Sequence, residues 1–412
     1  MREMKDSGVE WIGEIPSDWE LSKIGVVYEE RNIKVSDTDY EPLSVTKKGI
    51  VPQLETAAKT DNGDNRKLIK KNDFVINSRS DRRGSCGISE YDGSCSLINT
   101  VLKPRKNMNN AYYNFVFHSE LFADEFYAWG NGIVDDLWST KWSSMKRIYI
   151  PAPSLEEQKR IADYLDEKCS KIDKIIAKQE QIIEKLRAFR KSVISEAVTG
   201  KNDHKDKTKD SGVDFIGIIP AHWSVLKFGR CVDIKSNLVP PDDYMDYPQI
   251  SPDSIEKDSA KLTSFKTVKD AGVISWNHLF YKGQIIYSKI RPMLNKVVIA
   301  PYDGLCSADM YPLETDNCKQ FIVYMMLSDY FLAQVGLVTE NRVKMPKINQ
   351  NELANISVVL PPIDDQKRIA DWLEKKVSAT NKNIEQRQSA IEKLMQYKKS
   401  LIYEVVTGKK EV

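Results

Sequence analysis

The chain of 412 residues repeats itself, and this repeat constrains the fold more than any other feature of the sequence. The segment Lys5–Trp19 returns as Lys209–Trp223 with ten of fifteen positions identical, and Gln158–Asp163 returns unchanged as Gln366–Asp371. A repeat on this scale indicates a duplicated structural unit. Since the residues between these anchors share little, we expect a common scaffold that carries two different globular modules.

Each half ends in a long predicted helix. From Leu155 to about Val198 there is neither proline nor glycine, and Gly200 follows where a helix is expected to end. The second copy runs from Asp364 to about Val406. Two rows of the first helix have coiled-coil spacing: one is Leu165, Ile172, Gln179, Leu186 and Val193, at every seventh residue, and the other is Ile175, Ile182 and Phe189. We expect the helices to pair antiparallel; the alternative is that each packs on its own module.

The modules are predicted to be mixed. Short β-branched runs predict strands at Asp73–Asn77, Gln284–Ser288 and Val297–Ala300, and amphipathic patterns predict helices over Tyr112–Tyr127 and Gln320–Val335. The fold class that follows is α/β (α+β), with two globular domains separated by two long antiparallel coiled-coil helices in a pseudo-two-fold internal repeat. The expected bounds are 1–152 and 201–359 for the globular domains, and 153–200 and 360–412 for the helical regions.

Composition excludes several classes of protein. Apolar residues make up 41% and charged residues 29% of the chain, and no apolar run approaches the roughly 20 residues of a membrane-spanning helix. The start, Met1–Asp6, is charged and is followed by no apolar segment, which favours the cytoplasm. The six cysteines form no CxxC pair and the four histidines lie at no ligand spacing to them, so we expect free thiols and no structural zinc.

No motif predicts catalysis. Gly200-Lys201 has neither the upstream glycine nor the Ser/Thr of a phosphate-binding loop. Asp166-Glu167-Lys168 and its counterpart Glu374–Lys376 fit the short half of a metal-dependent nuclease pattern, but both lie inside the long helices, where such mixtures usually form a solvated face. In Pro240–Tyr244 the acidic residues follow the prolines, unlike the pocket of amino-methyltransferases. A binding role is therefore favoured.

Basic and polar-aromatic clusters are the candidate contacts, because such side chains on loops at strand ends can reach DNA phosphates and base edges. In the first module they are Asn77, Arg79, Ser80, Arg82, Arg83, Trp138, Thr140 and Lys141. In the second they are Lys289, Arg291, Asn295, Lys296, Arg342 and Lys344, with Asn341–Lys344 assigned to the position of the Trp138 cluster. Each cluster alone is more often a solvated loop, but equivalent placement in both halves favours function. The net charge of +2 decides nothing.

At these residues the chain resembles the specificity subunit of type I restriction–modification systems. The segments that carry the resemblance are Trp11–Trp19, Lys71–Arg79, Lys282–Pro292, Pro153–Ile161 and Pro361–Ile369. The resemblance implies two target recognition domains, each reading one half of a bipartite DNA sequence, and helices that fix the gap between the halves. It also implies a subunit without an active site or cofactor of its own.

The partners implied by the resemblance are two methyltransferase subunits, which bind S-adenosylmethionine and methylate adenine, and restriction subunits that use ATP and Mg. Two other classes stay open on the residues alone. One is a stand-alone nuclease or methyltransferase, which lacks a supporting motif. The other is a coiled-coil adaptor that binds only proteins.

Overall fold

The computed structural model describes residues 2–54, 63–132, 138–201, 207–342 and 345–412. It divides into two compact units, Met1–Gln179 with Gln388–Val412, and Glu180–Arg387. Each unit contains one globular part and a portion of both long helices. We call the globular parts the first head (residues 2–154) and the second head (residues 207–362).

The first head consists of short strands and short helices. Its strands are β1 (Met4–Asp6), β2 (Glu14–Pro16), β3 (Glu20–Lys23), β4 (Tyr28–Glu30), β5 (Lys34–Val35), β6 (Leu43–Thr46), β7 (Gly49–Pro52), β8 (Arg66–Ile69), β9 (Phe74–Asn77), β10 (Cys86–Ile88), β11 (Gly93–Cys95), β12 (Asn99–Pro104) and β13 (Tyr149–Ala152). Its helices are α1 (Ile24–Val27), α2 (Asn110–His118), α3 (Glu120–Ala128) and α4 (Trp142–Met145). The larger sheets have the orders β10-β9-β12-β4 and β11-β8-β5.

The second head repeats this plan with different residues. Its strands are β14 (Thr208–Asp210), β15 (Ile218–Pro220), β16 (Ser224–Lys227), β17 (Asp233–Ile234), β18 (Leu238–Val239), β19 (Gln249–Ile250), β20 (Asn277–Phe280), β21 (Ile285–Ser288), β22 (Val297–Ile299), β23 (Gly304–Cys306), β24 (Met310–Glu314) and β25 (Ser357–Leu360). Its helices are α6 (Lys319–Met326), α7 (Asp329–Thr339) and α8 (Gln350–Ala354). The larger sheets have the orders β17-β24-β21-β22 and β18-β20-β23-β19.

The two amphipathic stretches that were expected as single helices are each a pair. Ser119 separates α2 from α3 because its backbone is extended and its hydroxyl accepts from the Phe122 amide, which caps the new helix. Ser328 has the same place between α6 and α7. No single helix of the described residues is long and apolar enough to span a membrane; α6 and α7 together meet that test only as a pair bent by 57°.

The long helices, α5 (Leu155–Val198) and α9 (Ile363–Val406), confirm the sequence prediction almost to the residue. They run antiparallel. The Lys398 amine donates to Asp173 at 2.7 Å in one unit, and the Arg190 guanidinium donates to Asn381 at 2.5 Å in the other. In each unit, therefore, a side chain of α5 contacts one of α9 directly.

The prediction that the second row of α5 is buried at the helix contact is wrong for two of its residues. Ile175 is 46% exposed and Phe189 is 54% exposed, whereas Ile176 and Ile183 lie buried instead. A helix of 3.6 residues per turn drifts relative to a strict seven-residue row, so the contact face moves to neighbouring positions. The apolar side chains left outside are considered under Proposed function.

The repeated glutamine fastens each head to its long helix. The Gln158 side-chain oxygen accepts from the backbone N–H of Asn109, the N-cap of α2, at 2.9 Å. Gln366 accepts in the same way from Cys318, the N-cap of α6, at 3.0 Å. Both glutamines are buried. Since an N-cap N–H buried without a partner is costly, the two Gln-Lys-Arg-Ile-Ala-Asp repeats have a structural reason.

Candidate nucleic-acid interface

In the first head a β-bridge joins the two predicted clusters. Arg79, which follows β9, forms an antiparallel bridge with Ser139, and the Thr140 N–H donates to the Ser78 carbonyl at 2.9 Å. The segments come together because β9 ends buried in its sheet and the chain returns beside it before entering α4. Lys141 is the N-cap residue of α4 and is exposed.

The bridge forms one side of an open cleft of about 620 Å³, which we call the Arg79 cleft. Its lining is mostly basic, hydroxyl-bearing or apolar: Glu30, Lys67, Ser78, Arg79, Leu97, Ile98, Thr100, Ser139, Lys141, Trp142, Ser143 and Lys146. Four cations face one carboxylate there. Such a surface suits a polyanion that also presents polar base edges and apolar methyl groups, as the major groove of duplex DNA does.

The predicted residues of the first head differ in how their side chains are held. Arg79 lies 3.4 Å from Asp81, and Arg82 is 66% exposed at 3.5 Å from the same carboxylate. Arg83 pairs with Asp124 and lies over the Tyr127 ring. Arg82 is thus the more available of the two arginines that follow Asp81.

Three of the predicted residues have local structural roles. The Asn77 side chain accepts from the Arg79 N–H at 3.0 Å, and the Trp138 indole donates to the Tyr127 carbonyl at 3.0 Å. Thr140 is 1% exposed, and its hydroxyl donates to the Phe126 carbonyl at 2.6 Å. Burial leaves Thr140 little surface to offer DNA, so we interpret it as a residue that positions Lys141. Ser80 lies in a 3-10 turn between Arg79 and Arg82.

The second head repeats the bridge at the end of the equivalent strand. Ile290 bridges Lys347, and the Ile348 N–H donates to the Lys289 carbonyl at 2.9 Å. Lys347 therefore occupies the place of Ser139. The assignment of Asn341–Lys344 to that place is wrong by a few residues, because α7 is longer than α3 and the bridging segment begins later.

Lys289 and Arg291 follow β21 as expected. The Lys289 amine lies 5.1 Å from the centre of the Tyr311 ring. Arg291 is exposed and adopts a left-handed backbone conformation with φ 44° and ψ 52°. That conformation costs a residue with a Cβ roughly 1–2 kcal/mol. It is held by hydrogen bonds from the Arg291 N–H to Pro346 and from the Leu294 N–H to Arg291, both of 2.8 Å.

The other predicted residues of the second head are buried or paired inside it. Asn295 is 1% exposed, and the Lys296 amine donates to the Pro252 carbonyl at 2.6 Å. Arg342 is paired with Glu352, which raises the pKa of the guanidinium and lowers the pKa of the carboxyl. These three side chains are less available than Arg291. Lys344 lies outside the described residues.

Sequence reasoning missed Lys67, Lys146 and Lys347. Lys67 lies on β8, and its amine reaches the cleft, where it donates to the Asn99 carbonyl of β12 at 2.8 Å, a long-range contact with no local signal. Lys146 follows α4, and Lys347 pairs with Asp309 at 3.0 Å. Lys347 is recognised as a candidate only because its bridge to Ile290 is equivalent to the bridge of Ser139 to Arg79 in the first head.

Other site chemistry is not supported by the described residues. They contain no group of three or more His, Cys, Asp or Glu side chains placed to hold a metal ion. Burial raises the pKa of the Cys86 and Cys95 thiols to about 12, which makes both poor nucleophiles.

Comparison with known proteins identifies the family. The family model described as the type I restriction modification DNA specificity domain matches residues 16–188 and again 223–393. The specificity subunit of the type I restriction enzyme EcoDI of Escherichia coli is 29% identical over 89% of this chain and 85% of its own length. A putative MjaX specificity subunit of Methanocaldococcus jannaschii is 24% identical over 97% and 95%.

Solved structures share the fold. A structure described as the basis of complex assembly and conformational transition of the type I R-M system matches with a TM-score of 0.71 at 14% identity, covering 96% of this chain and 99% of that chain. The HsdS subunit of Thermoanaerobacter tengcongensis matches with a TM-score of 0.50 at 14% identity, over 96% and 98%. The two matches of the family model cover most of the chain, and on that ground it belongs to the family of type I restriction–modification DNA specificity subunits.

Proposed function

We propose that each head of this chain recognises one half of a bipartite duplex DNA sequence, and that the paired helices α5 and α9 hold the partner subunits and set the gap. The observation that carries the proposal is the bridge present in both heads, Arg79 with Ser139 and Ile290 with Lys347. The same backbone contact presents different side chains in each head. Two unrelated half-sites are the expected consequence.

The proposed DNA contacts are the exposed or half-exposed cations of the joined loops. In the first head they are Arg79, Arg82 and Lys141, with Lys146 added. In the second they are Lys289 and Arg291. Asn77, Arg83, Trp138, Thr140, Asn295, Lys296 and Arg342 support these loops or contact DNA less directly, and Ser80 and Lys344 stay predictions.

The partners proposed are two methyltransferase subunits, one for each unit. Each unit displays the same kinds of apolar side chain on the outside of its helices. Phe189 is 54% and Trp372 is 40% exposed in one unit, while Tyr397 is 52% exposed and Tyr164 half-buried in the other. Lys168 lies over Tyr164, and Lys376 over Trp372, so the two units match here in detail. Exposed apolar side chains repeated in this way are typical of protein contacts.

In this proposal the chain binds no cofactor and catalyses no reaction. S-adenosylmethionine is bound by the methyltransferase partner, and ATP and Mg are bound by restriction subunits in the full complex. Because the substrate is cellular DNA, we place the protein in the cytoplasm.

The test is co-expression with a type I methyltransferase subunit from the same host, followed by single-molecule sequencing of methylated adenine. We expect one motif with two short specific blocks around a fixed gap, lost when this chain is deleted. Methylation that survives the deletion would contradict the proposal. DNA cleavage or methylation by the purified chain alone would favour an enzyme instead.

A further inference from the structure

A turn on the second head exposes large apolar side chains at its surface. Ile274 is 95% exposed and Trp276 is 58% exposed. We call the segment Lys269–Trp276, which contains both, the apolar tip. Two large apolar side chains exposed two residues apart on one segment form a patch that suits a binding partner.

The apolar tip begins with an ordered turn. The N–H groups of Ala271, Gly272 and Val273 donate to backbone carbonyls of Thr267, Lys269 and Val268 at 2.9, 3.0 and 3.2 Å. Gly272 has φ +61°, the left-handed conformation that lets the chain reverse. These hydrogen bonds hold the backbone up to Val273, and Ile274 directly follows it, which lowers the entropic cost of a contact there.

The strand register places the apolar tip at the same end of the second head as the proposed DNA contacts. Trp276 directly precedes β20, and His278 of β20 pairs with Cys306 at the end of β23. The chain then leads to Asp309, whose carbonyl accepts from the Lys289 N–H at 3.0 Å. His278 is buried, and burial together with the charge of Lys289 lowers the pKa of its imidazole. The start of β20 and the end of β21 are therefore neighbours.

The charged residues near the apolar tip indicate whether it would contact phosphates or bases. Lys266 and Lys269 flank the turn and are exposed, with Asp270 beside them. The adjacent segment Asp242–Tyr247 carries three aspartates, so this surface is a poor cradle for phosphates. An apolar turn continuous with a DNA-reading edge is suited to thymine methyl groups or to the plane of a base at a flexible step.

We propose that the apolar tip is a DNA contact of the second head, in which Ile274 and Trp276 meet bases of the second half-site. This inference rests on the proposed function of the second head. It adds apolar base contacts to the cationic contacts of Lys289 and Arg291. The first head holds its own exposed apolar pair, Leu97 and Ile98, in the Arg79 cleft.

The test is photo-crosslinking of the full chain in complex with its methyltransferase partner, bound to a labelled duplex that carries the methylated motif. Trp276→p-benzoylphenylalanine is expected to crosslink to the second-block half of that duplex. Tyr281→p-benzoylphenylalanine is the matched control, because Tyr281 is 53% exposed at the other end of β20 and is expected to give no DNA crosslink.

Lys141→p-benzoylphenylalanine separates the two proposals. If position 141 crosslinks to DNA and position 276 crosslinks to protein or to nothing, the apolar tip is not a DNA contact while the proposed function stands. If neither crosslinks to DNA, both fail.

A second variant keeps the inference testable by affinity. Ile274→Ser combined with Trp276→Ala is expected to weaken binding of the duplex about tenfold at unchanged unfolding midpoint, because both side chains are exposed. Unchanged affinity would overturn the proposal.

Discussion

The two heads hold the same backbone bridge, yet they hold their cations differently. In the first head Arg79, Lys141 and Lys146 line an open cleft. In the second, Arg342 is paired with Glu352 and Lys347 with Asp309, so fewer cations are left to meet a polyanion. The comparison teaches that the scaffold fixes where contacts lie, while loop side chains decide their kind. We expect the first head to bind DNA mainly through charge and the second through Arg291 and apolar contacts.

The largest expected effect comes from removing the cations of one head at a time. Arg79→Ala with Lys141→Ala should weaken binding of the cognate duplex by the partner complex roughly thirty- to a thousandfold, and reduce the salt slope by about two. Arg342→Ala with Lys347→Ala is the matched control and should weaken binding less than about fivefold. Affinity measured at several salt concentrations checks this. Equal losses of DNA affinity in the two double variants would contradict the proposed difference between the heads.

The glycines that end the long helices test the symmetry of the scaffold. Gly200 has φ +74°, and a Cβ there would lie 2.4 Å from the Cδ of Pro220; Gly408 has φ +73° and the same distance to Pro16. Gly200→Ala and Gly408→Ala should each lower the free energy of unfolding by about 2 kcal/mol or more, from strain and overlap together. Denaturant midpoints measure the change.

Gly212→Ala is the control for this pair. Gly212 has φ +69° but no atom within 4 Å of its added Cβ, so only the backbone cost of about 1 kcal/mol applies. Losses at Gly200 and Gly408 that differ strongly from each other would contradict an equivalent construction of the two units.

A substitution at Arg291 is expected to change DNA affinity and folding stability of the second head in different ways. Arg291→Gly relieves the left-handed backbone, although the added freedom of the unfolded chain offsets part of the gain. We expect stability to be retained or raised by less than about 1 kcal/mol, while affinity for the duplex falls about tenfold. Thermal unfolding and equilibrium binding of the same variant check both halves of this prediction. A variant that loses stability and keeps affinity would show that Arg291 is structural.

The smallest effect expected is a pH dependence shared by the heads. Burial lowers the pKa of His118 in the first head, and burial together with Lys289 lowers the pKa of His278 in the second. Below about pH 6.5 the unfolded chain takes up these protons before the folded protein does, so stability is present above that pH and lost on acidification. Denaturant midpoints should fall between about pH 7.5 and 5.5, and less so in His118→Asn and His278→Asn. If the midpoint falls as much with pH in both variants as in the unmodified protein, other titratable groups cause the effect.

How much of the fold the sequence predicts depends on whether the signal is local. The long helices were predicted because a run from Leu155 to Val198 without proline or glycine is a local signal. The break at Ser119 was missed, since a single serine inside an apolar pattern acts through a capping hydrogen bond that the pattern does not contain. Ile175 and Phe189 were placed on the contact row because a seven-residue count ignores helical drift.

For the candidate site, the strand ends after Asn77 and Ser288 were predictable from turn chemistry, so Arg79 and Arg291 were found. Which of these cationic side chains are exposed, and which are held in ion pairs, was not predictable from the sequence. Whether Arg342 meets Glu352, or the Lys67 amine meets the Asn99 carbonyl, depends on contacts between residues 10 and 32 positions apart. The contact role of these residues stays a prediction.

The most direct test of the account is to determine the methylated motif for two variants, each with a double substitution in one head. The chain with Arg79→Ala and Lys141→Ala, and the chain with Lys289→Ala and Arg291→Ala, would each be expressed with the methyltransferase partner and analysed by single-molecule sequencing of methylated adenine. The account predicts that each double substitution weakens or relaxes one block of the bipartite motif, a different block in each case, and leaves the gap unchanged. Changes in both blocks from either variant, or an altered gap, would contradict the claim that each head reads one half-site.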